Sequence, residues 1–268
     1  MKGFCPLASG STGNCIFVGT EKTKLLFDVG ISYKVAKERL EEIQVSIDDI
    51  DAVVISHEHF DHIKGLEMIV KKRQIPIFCN SDTAKAICQL MEVRPKFKIF
   101  STGESFYFGD VEIHPFSIQH DTLDPVAFTL QYNDIKFAIC TDLGFVTKLV
   151  EMHLKDCDYL YIEANHDEDM VHACSRPMVY KQRVLSRQGH LSNRACAELL
   201  DQIYHTDLKH VFLAHLSSEC NHPDLAIQTI RDFLAKKNKT VTLSIAYPDK
   251  ISQPIYFVKE SKRVDISA

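Results

Sequence analysis

The stretch VVISHEHFDHIKG, residues 53–65, places three histidines and two carboxylates directly after an apolar run. Side chains alternate along a strand, so the apolar residues can stay buried while the strand end delivers polar groups to the rim of a sheet. His57 and His59 can then grip one metal ion, with Asp61 and His62 displaced toward a second. Imidazole and carboxylate groups suit zinc, with manganese or iron as alternatives. The dense H-x-H-x-D-H pattern favours a metal site over a histidine-rich surface loop.

The composition is that of a soluble globular protein. Of the 268 residues, 45% are hydrophobic and 25% are charged, and the net charge of −5 gives no support to a nucleic-acid partner beyond a local basic patch. Nine cysteines are scattered along the chain, which favours reduced thiols over a disulfide framework. The start does not read as a signal peptide, and no apolar run is long enough for a membrane span. We therefore expect a cytoplasmic protein with no membrane partner.

The order of predicted elements indicates an α/β protein. Helices are predicted near both ends of the chain, and strands fill the middle. The predicted helices are residues 33–44, residues 65–73, residues 81–91 with Ser81 as N-cap, residues 193–204 after Ser192, and a helix after Pro223. Two sheets covered by outer helices satisfy that order, as a four-layer αββα sandwich. We predict that residues 1–268 form a single domain with this fold.

Further Asp and His residues stand at the ends of other predicted strands. They are Asp28 in LLFDVG, His120 in FSIQHD, Asp142 in FAICTDLG and His215 in VFLAHLS. Each alone has an ordinary explanation, as a turn residue or as a solvated residue at a strand end. Together with H-x-H-x-D-H, however, they offer enough ligands to complete two metal sites.

The order Asp, H-x-H-x-D-H, His, Asp, His resembles that of the metallo-β-lactamase superfamily across most of the chain. The motifs SGSTGN (residues 9–14), EANHD (163–167), GHLSN (189–193) and HLSSECNHP (215–223) resemble the YycJ/WalJ type of single-domain hydrolase. EAN, GHLS and AHLS are also similar to motifs of ribonuclease Z. One segment departs from the pattern: ACSRPMVYKQRV (173–184) stands where related chains are richer in Gly and Pro. The role of residues 173–187 therefore stays open.

The resemblance implies a centre of two divalent ions, zinc first and manganese or iron as alternatives. By resemblance, His57, His59 and His120 hold one ion, Asp61, His62 and His215 hold the other, and Asp142 bridges them. The resemblance also places Asp28 behind the ligands, where it orients an imidazole or its loop. Two such ions share a bridging hydroxide that attacks the substrate, and Asp61 lies where it can orient that hydroxide or carry its proton.

Other residues point to the substrate. His190 and Glu163 are candidate catalytic residues, because they resemble the ribonuclease Z pair in which the histidine contacts a phosphate or protonates the leaving oxygen and the glutamate positions the histidine. The ordinary alternative for His190 is a plain residue before a helix. Arg183 and Arg187, with Arg176, Lys181 and Tyr180 nearby, could follow a nucleic-acid backbone, or could form a solvated helix face. Asn193 of GHLSN is a further candidate substrate contact.

These observations favour a dinuclear phosphodiesterase or nuclease that acts on DNA or RNA. About seventy residues separate Asp142 from His215, which leaves no room for a large inserted clamp, so we expect the substrate to be a single strand or an end. One alternative is hydrolysis of a small ester, thioester or cyclic nucleotide. Another is a metal-bound regulatory protein without activity. The sequence does not decide which metal is bound or whether the substrate is DNA or RNA. It also leaves open whether cleavage is exo- or endonucleolytic, its polarity, and the oligomeric state.

Overall fold

The protein is described by a computed structural model that covers residues 1–257. Its strands are β1 (Gly3–Ala8), β2 (Cys15–Gly19), β3 (Lys24–Phe27), β4 (Ala52–Val54), β5 (Ile77–Cys79), β6 (Phe97–Ile99), β7 (Phe106–Phe108), β8 (Val111–Ser117), β9 (Val126–Tyr132), β10 (Ile135–Cys140), β11 (Tyr159–Glu163), β12 (His210–Ala214), β13 (Thr242–Ile245) and β14 (Ile255–Tyr256). Its helices are α1 (Tyr33–Glu42), α2 (Phe60–Ile63), α3 (Leu66–Lys72), α4 (Ser81–Leu90), α5 (Lys148–Leu154), α6 (Glu168–Ala173), α7 (Met178–Val184), α8 (Asn193–Ile203) and α9 (Pro223–Ala235). The last part of the predicted domain, residues 258–268, lies outside the described residues.

Two seven-stranded sheets form the centre of the fold. Their strand orders are β14-β1-β2-β3-β4-β5-β6 and β13-β12-β11-β10-β9-β8-β7. In the first sheet β3 to β6 run parallel, and in the second β10 to β13 run parallel. Parallel neighbours end at the same edge of their sheet, so the residues that follow β3 and β4, or β10, β11 and β12, come together there.

Three hydrophobic clusters fill the interfaces between the layers. Aromatic residues, including Phe4, Phe27 and Phe128, fill the space between the two sheets. A second cluster joins residues of α1, α3 and α4 to the outer face of the first sheet, and a third joins α5, α8 and α9 to the outer face of the second. The order helix, sheet, sheet, helix confirms the predicted four-layer αββα sandwich.

The helix boundaries follow the capping residues. Ser32 accepts a hydrogen bond from the amide of Val35 at the start of α1, and Ser192 accepts one from Ala195 at the start of α8. The prediction that Ser81 caps α4 was wrong by one residue, because the side chain of Asn80 accepts the bond from the Thr83 amide at 2.9 Å. Within residues 1–257, no helix is both long and apolar enough to cross a membrane.

Strand β1 was not predicted from the sequence. All six of its residues are buried, so it shows no alternation of polar and apolar side chains. Its residue Phe4 reaches across the interface between the sheets, where its ring centroid lies 4.1 Å from that of Phe137 and 5.6 Å from that of Phe212. The missed strand therefore supplies a central part of the core.

We predict that Phe4→Ala lowers the free energy of unfolding by about 3–5 kcal/mol, because it removes a buried ring and leaves a cavity between the sheets. Urea unfolding followed by circular dichroism measures the change. The matched control is Tyr107→Ala on β7, whose side chain is exposed and whose replacement should change stability by no more than about 0.5 kcal/mol. A loss below about 1 kcal/mol for Phe4→Ala would contradict the assigned packing.

Candidate metal centre

Strand ends of both sheets converge on one cluster of His and Asp side chains. Asp28 follows β3, His57 and His59 follow β4, and His120 follows β8. Asp142 follows β10 by two residues and His215 follows β12 directly. The seven predicted ligands are all brought together, in groups whose ligand atoms lie within 4.8 Å of one another.

Three of these residues have left-handed backbone conformations. The φ angles are 57° at Asp28, 57° at Asp142 and 54° at His215. This conformation costs an L-residue about 1–2 kcal/mol, and such strain concentrates at functional sites. In each case it turns the chain sharply at the end of a buried strand.

The first group consists of His57, His59 and His120. His120 Nε2 lies 3.3 Å from His59 Nδ1, and the ring centroids of His57 and His59 are 4.8 Å apart. His57 Nε2 is buried and has no hydrogen-bond partner among the described residues. Burial lowers the pKa of His57 well below its usual range, and the charge of His62 adds to the effect, so the ring is neutral and keeps a free lone pair.

The second group consists of Asp61, His62 and His215. Asp61 Oδ2 lies 3.7 Å from His62 Nε2 and 3.5 Å from His215 Nε2. Asp142 lies between the two groups: its Oδ2 is 3.1 Å from His62 Nε2, and its Oδ1 is 3.6 Å from both His120 Nε2 and His215 Nε2. The arrangement matches two three-residue sites that share one carboxylate.

The local backbone of the H-x-H-x-D-H stretch differs from the prediction. The chain was expected to stay extended until a helix at Gly65, but α2 begins at Phe60. The alternation of a strand therefore applies to His57 and His59 only, and Asp61 and His62 reach the site from a helical turn. Gly30 lies against this turn so closely that an added Cβ would come within 1.6 Å of the Asp61 carbonyl oxygen.

Three histidines of the two groups, His57, His62 and His120, are held from behind through Nδ1. His62 Nδ1 donates to Asp28 at 2.8 Å, and His57 Nδ1 donates to the hydroxyl of Ser56 at 3.0 Å. The Ser56 hydroxyl in turn donates to Asp28 at 2.8 Å. His120 Nδ1 donates to the Gly189 carbonyl at 3.1 Å. These tautomers leave Nε2 directed at the centre, which is the arrangement found in metal-binding histidines.

Glu163 holds a fourth histidine, His215, and both oxygens of its carboxylate accept hydrogen bonds. Oε1 accepts from His215 Nδ1 at 3.0 Å and from His190 Nδ1 at 2.8 Å. Oε2 accepts from the amides of Leu143 and Leu191 at 2.7 and 3.2 Å. Burial acts to raise the pKa of Glu163, but the charge and hydrogen bonds of His190 and His215 lower it to about 2.

Glu163 also belongs to a group with Asp142, His190 and His215 that is compact enough for an ion. A carboxylate has about four lone-pair sites, and those of Glu163 are all occupied by donors. Glu163 therefore orients His190 and His215 from behind instead of facing the cleft, which is the positioning role that the resemblance to the ribonuclease Z pair implies.

The donor set fits divalent cations. His57 Nε2, His215 Nε2 and Asp142 Oδ2 are buried and make no hydrogen bond of adequate geometry among the described residues, although Asp142 Oδ2 lies 3.1 Å from His62 Nε2. Burial acts to raise the pKa of Asp142, but the charges of His215 and His62 lower it well below its usual range, so it is ionised. Buried carboxylates of this kind require positive charge beside them, and bound cations supply it.

Only some of the predicted substrate residues lie beside the metal centre. His190 lies beside the centre, with its ring centroid 5.3 Å from that of His120 and 5.1 Å from that of His215. Arg183 Nε donates to Asp121 Oδ2 at 2.6 Å, and Asp121 Oδ1 is 3.4 Å from His120 Nε2. Arg183 is therefore at the edge of the site.

Two other basic residues of the same segment are engaged elsewhere. Arg176 pairs with Glu219, and Lys181 donates to the carbonyl of His172. Arg187 lies over the ring of Phe145 at 4.6 Å. Asn193 is buried, and its amide exchanges two hydrogen bonds with the amide of Asn221, both at 2.9 Å. Asn193 is therefore not available to a substrate in this structure.

The sequence interpretation missed three residues of the site. Asn14, in SGSTGN, places its Nδ2 3.4 Å from Asp61 Oδ2 and 3.0 Å from His62 Nε2. Ser56 and Asp121 were also missed, although each stands directly beside a predicted ligand in the chain. Their adjacency to His57 and His120 was the available signal. For Asn14, the motif SGSTGN was recognised as a whole, with no role for this side chain.

Comparison with known proteins agrees with the geometry. Residues 23–216 match the family model described as the beta-lactamase superfamily domain. The chain is 36% identical to exodeoxyribonuclease YycJ of Bacillus anthracis, over 87% of this chain and 89% of that protein. It is 37% identical to exodeoxyribonuclease WalJ of Streptococcus pneumoniae serotype 2, over 86% of this chain and 87% of that protein.

Structural similarity extends to more distant proteins. Human tRNase Z, short form, superposes with a TM-score of 0.63 at 16% identity, over 93% of this chain and 98% of that chain. This likeness concerns the fold, which both share. The extent of the family match and the identity to YycJ and WalJ are decisive: the chain belongs to the metallo-β-lactamase superfamily of metal-dependent hydrolases, in the group of the YycJ and WalJ proteins.

Proposed function

We propose that the protein is a dinuclear metal-dependent phosphodiesterase that cleaves nucleic acid at a single strand or an end, in the cytoplasm. The observation that carries the proposal is the pair of three-residue groups joined by Asp142. Two relatives that match most of the chain are named exodeoxyribonucleases, which favours DNA as the substrate. We also propose that residues 1–268 act as one domain.

The two ions would be held by the residues predicted from the sequence. His57, His59 and His120 would hold one; Asp61, His62 and His215 would hold the other; Asp142 would contact both. Zinc is the proposed metal, because imidazole and carboxylate ligands suit it, with manganese or iron as alternatives. When bound, such ions lower the pKa of a water nucleophile and stabilise charge on the phosphate oxygens.

The residues around the ions have separate tasks. Asp61 is partly accessible and accepts from Asn14 Nδ2, so it can orient the attacking water and accept its proton. His190 directs Nδ1 to Glu163, which leaves Nε2 to face the substrate. The contact with Glu163 fixes the orientation of the His190 ring, so that Nε2 can donate a proton to the leaving oxygen. Arg183 and Arg187 are proposed phosphate contacts at the rim.

We predict that His57→Ala loses about one of two equivalents of bound metal, because one of the three-residue groups loses a ligand. Elemental analysis of metal-saturated, desalted protein measures the content. The matched control is His114→Ala on β8, whose ring stacks on His153 away from the cluster and which should keep both equivalents. An unsubstituted protein that binds no metal under saturating conditions would overturn the proposal.

We predict that His190→Ala keeps both metals while turnover of an oligonucleotide falls by about 10²–10⁴-fold, because the leaving oxygen no longer receives a proton. Hydrolysis of bis-p-nitrophenyl phosphate should fall much less, since nitrophenolate departs without one. Steady-state kinetics on both substrates, with metal analysis of the same preparations, make the comparison.

Two results would count against this role for His190. Loss of a metal ion in His190→Ala would make His190 a ligand and would question the assignment of His215. Equal retention of both activities would leave His190 as an ordinary residue ahead of α8. His114→Ala again serves as the matched control.

A further inference from the structure

Large apolar side chains are exposed beside the metal centre. Phe60 is 70% exposed and Phe145 is 40% exposed, although nine of the 16 phenylalanines are buried. Exposed rings whose backbone adjoins a buried polar site can serve as contacts for a ligand of that site. They are not part of the metal chemistry described above.

The backbone of both residues adjoins the predicted metal ligands. Phe60 stands between His59 and Asp61 in the chain, so its Cα lies about 3.8 Å from theirs. Phe145 follows Asp142 by three residues, which limits their Cα separation to about 11 Å. The neighbour of Phe145, Gly144, is fixed between two parts of the site: its amide donates to Gln119 at 2.9 Å, and an added Cβ would lie 2.5 Å from the Arg187 carbonyl oxygen.

Each ring is accompanied by a basic side chain. The Arg187 guanidinium lies 4.6 Å from the ring centroid of Phe145, and Lys64 Nζ lies 6.0 Å from that of Phe60. Arg183 adds a third cation beside His120 through its pair with Asp121. Aromatic faces with adjacent cations are the elements that bind single-stranded nucleic acid, where bases stack on the rings and phosphates contact the cations.

We propose that Phe60 and Phe145 are stacking platforms for nucleobases on either side of the scissile phosphate of a single strand. Lys64 and Arg187 contact the phosphates next to those bases. The occupant is a single strand, because the bases of a duplex are already stacked and paired and cannot lie on a protein ring. This inference rests on the proposed function, since it concerns the substrate of the same centre.

The test compares strands with and without bases. Phe60→Ala, Phe145→Ala and the double variant are offered a single-stranded oligonucleotide and a strand of equal length with abasic tetrahydrofuran units. Loss of one base–ring stack weakens binding by about 5- to 150-fold, equivalent to about 1–3 kcal/mol. We expect the ratio of kcat/KM for the base-bearing strand to that for the abasic strand to fall by that factor in each single variant. Phe60→Trp and Phe145→Trp should restore the ratio.

The control is Tyr107→Ala, an aromatic residue on β7 that is 73% exposed; it should leave the ratio as in the unsubstituted protein. If the ratio is the same in both Phe variants as in the control, the rings do not stack bases and the inference is overturned. A parallel loss on both strands assigns the rings to the support of the metal ligands and also overturns it. Failure of the unsubstituted protein to cleave either strand or bis-p-nitrophenyl phosphate would instead overturn the proposed function.

Discussion

The centre of this protein depends on buried carboxylates that hold imidazole rings from behind. Asp28, directly after β3 of the first sheet, accepts from His62 and supports His57 through the hydroxyl of Ser56. Glu163 in the second sheet accepts from His215 and His190. Each carboxylate thereby fixes the tautomer of its imidazole partners, which decides the nitrogen that faces the cleft. One carboxylate after a strand of the first sheet and one at the end of a strand of the second thus align ligands on both sides of Asp142.

Such a cluster is costly for the folded chain without cations. Asp28, Asp142 and Glu163 are buried, and Asp61 is largely buried. The histidines around these carboxylates supply positive charge only when they are protonated. Burial acts to lower the pKa of His62, but Asp28 and Asp142 beside it raise that pKa well above its usual range. The pKa of His215 is likewise raised against burial, by Asp142, Asp61 and Glu163. Protons and metal ions therefore compete for these sites, and metal binding couples to both pH and folding.

Much of this arrangement could be predicted from the sequence, for a physical reason. The ligands follow apolar strands, and parallel strands end at the same edge, so His57, Asp142 and His215 could be brought together without knowledge of the loops. The resemblance to a known superfamily then gave each ligand its place. The fold class followed from the order of helices and strands.

The parts that could not be predicted depend on contacts between distant residues. Glu163 accepts hydrogen bonds from both His190 and His215, which are 27 and 52 positions further along the chain. Asn193 stood in a suggestive motif, but its pairing with Asn221 is invisible locally. Strand β1 lacks alternation because both its faces are buried. The turn at Phe60 starts a helix where the spacing of polar residues also suited a strand.

The central claim is that two metal ions lie in two three-residue groups joined by Asp142. The most direct measurement is an anomalous difference map, recorded at the metal absorption edge, from crystals of the metal-loaded protein. The account predicts two peaks, one about 2.0–2.1 Å from Nε2 of His57 and His120 and the other at that distance from Nε2 of His62 and His215, with Asp142 in contact with both. A single peak, or a peak bound by Glu163 and His190, would contradict it.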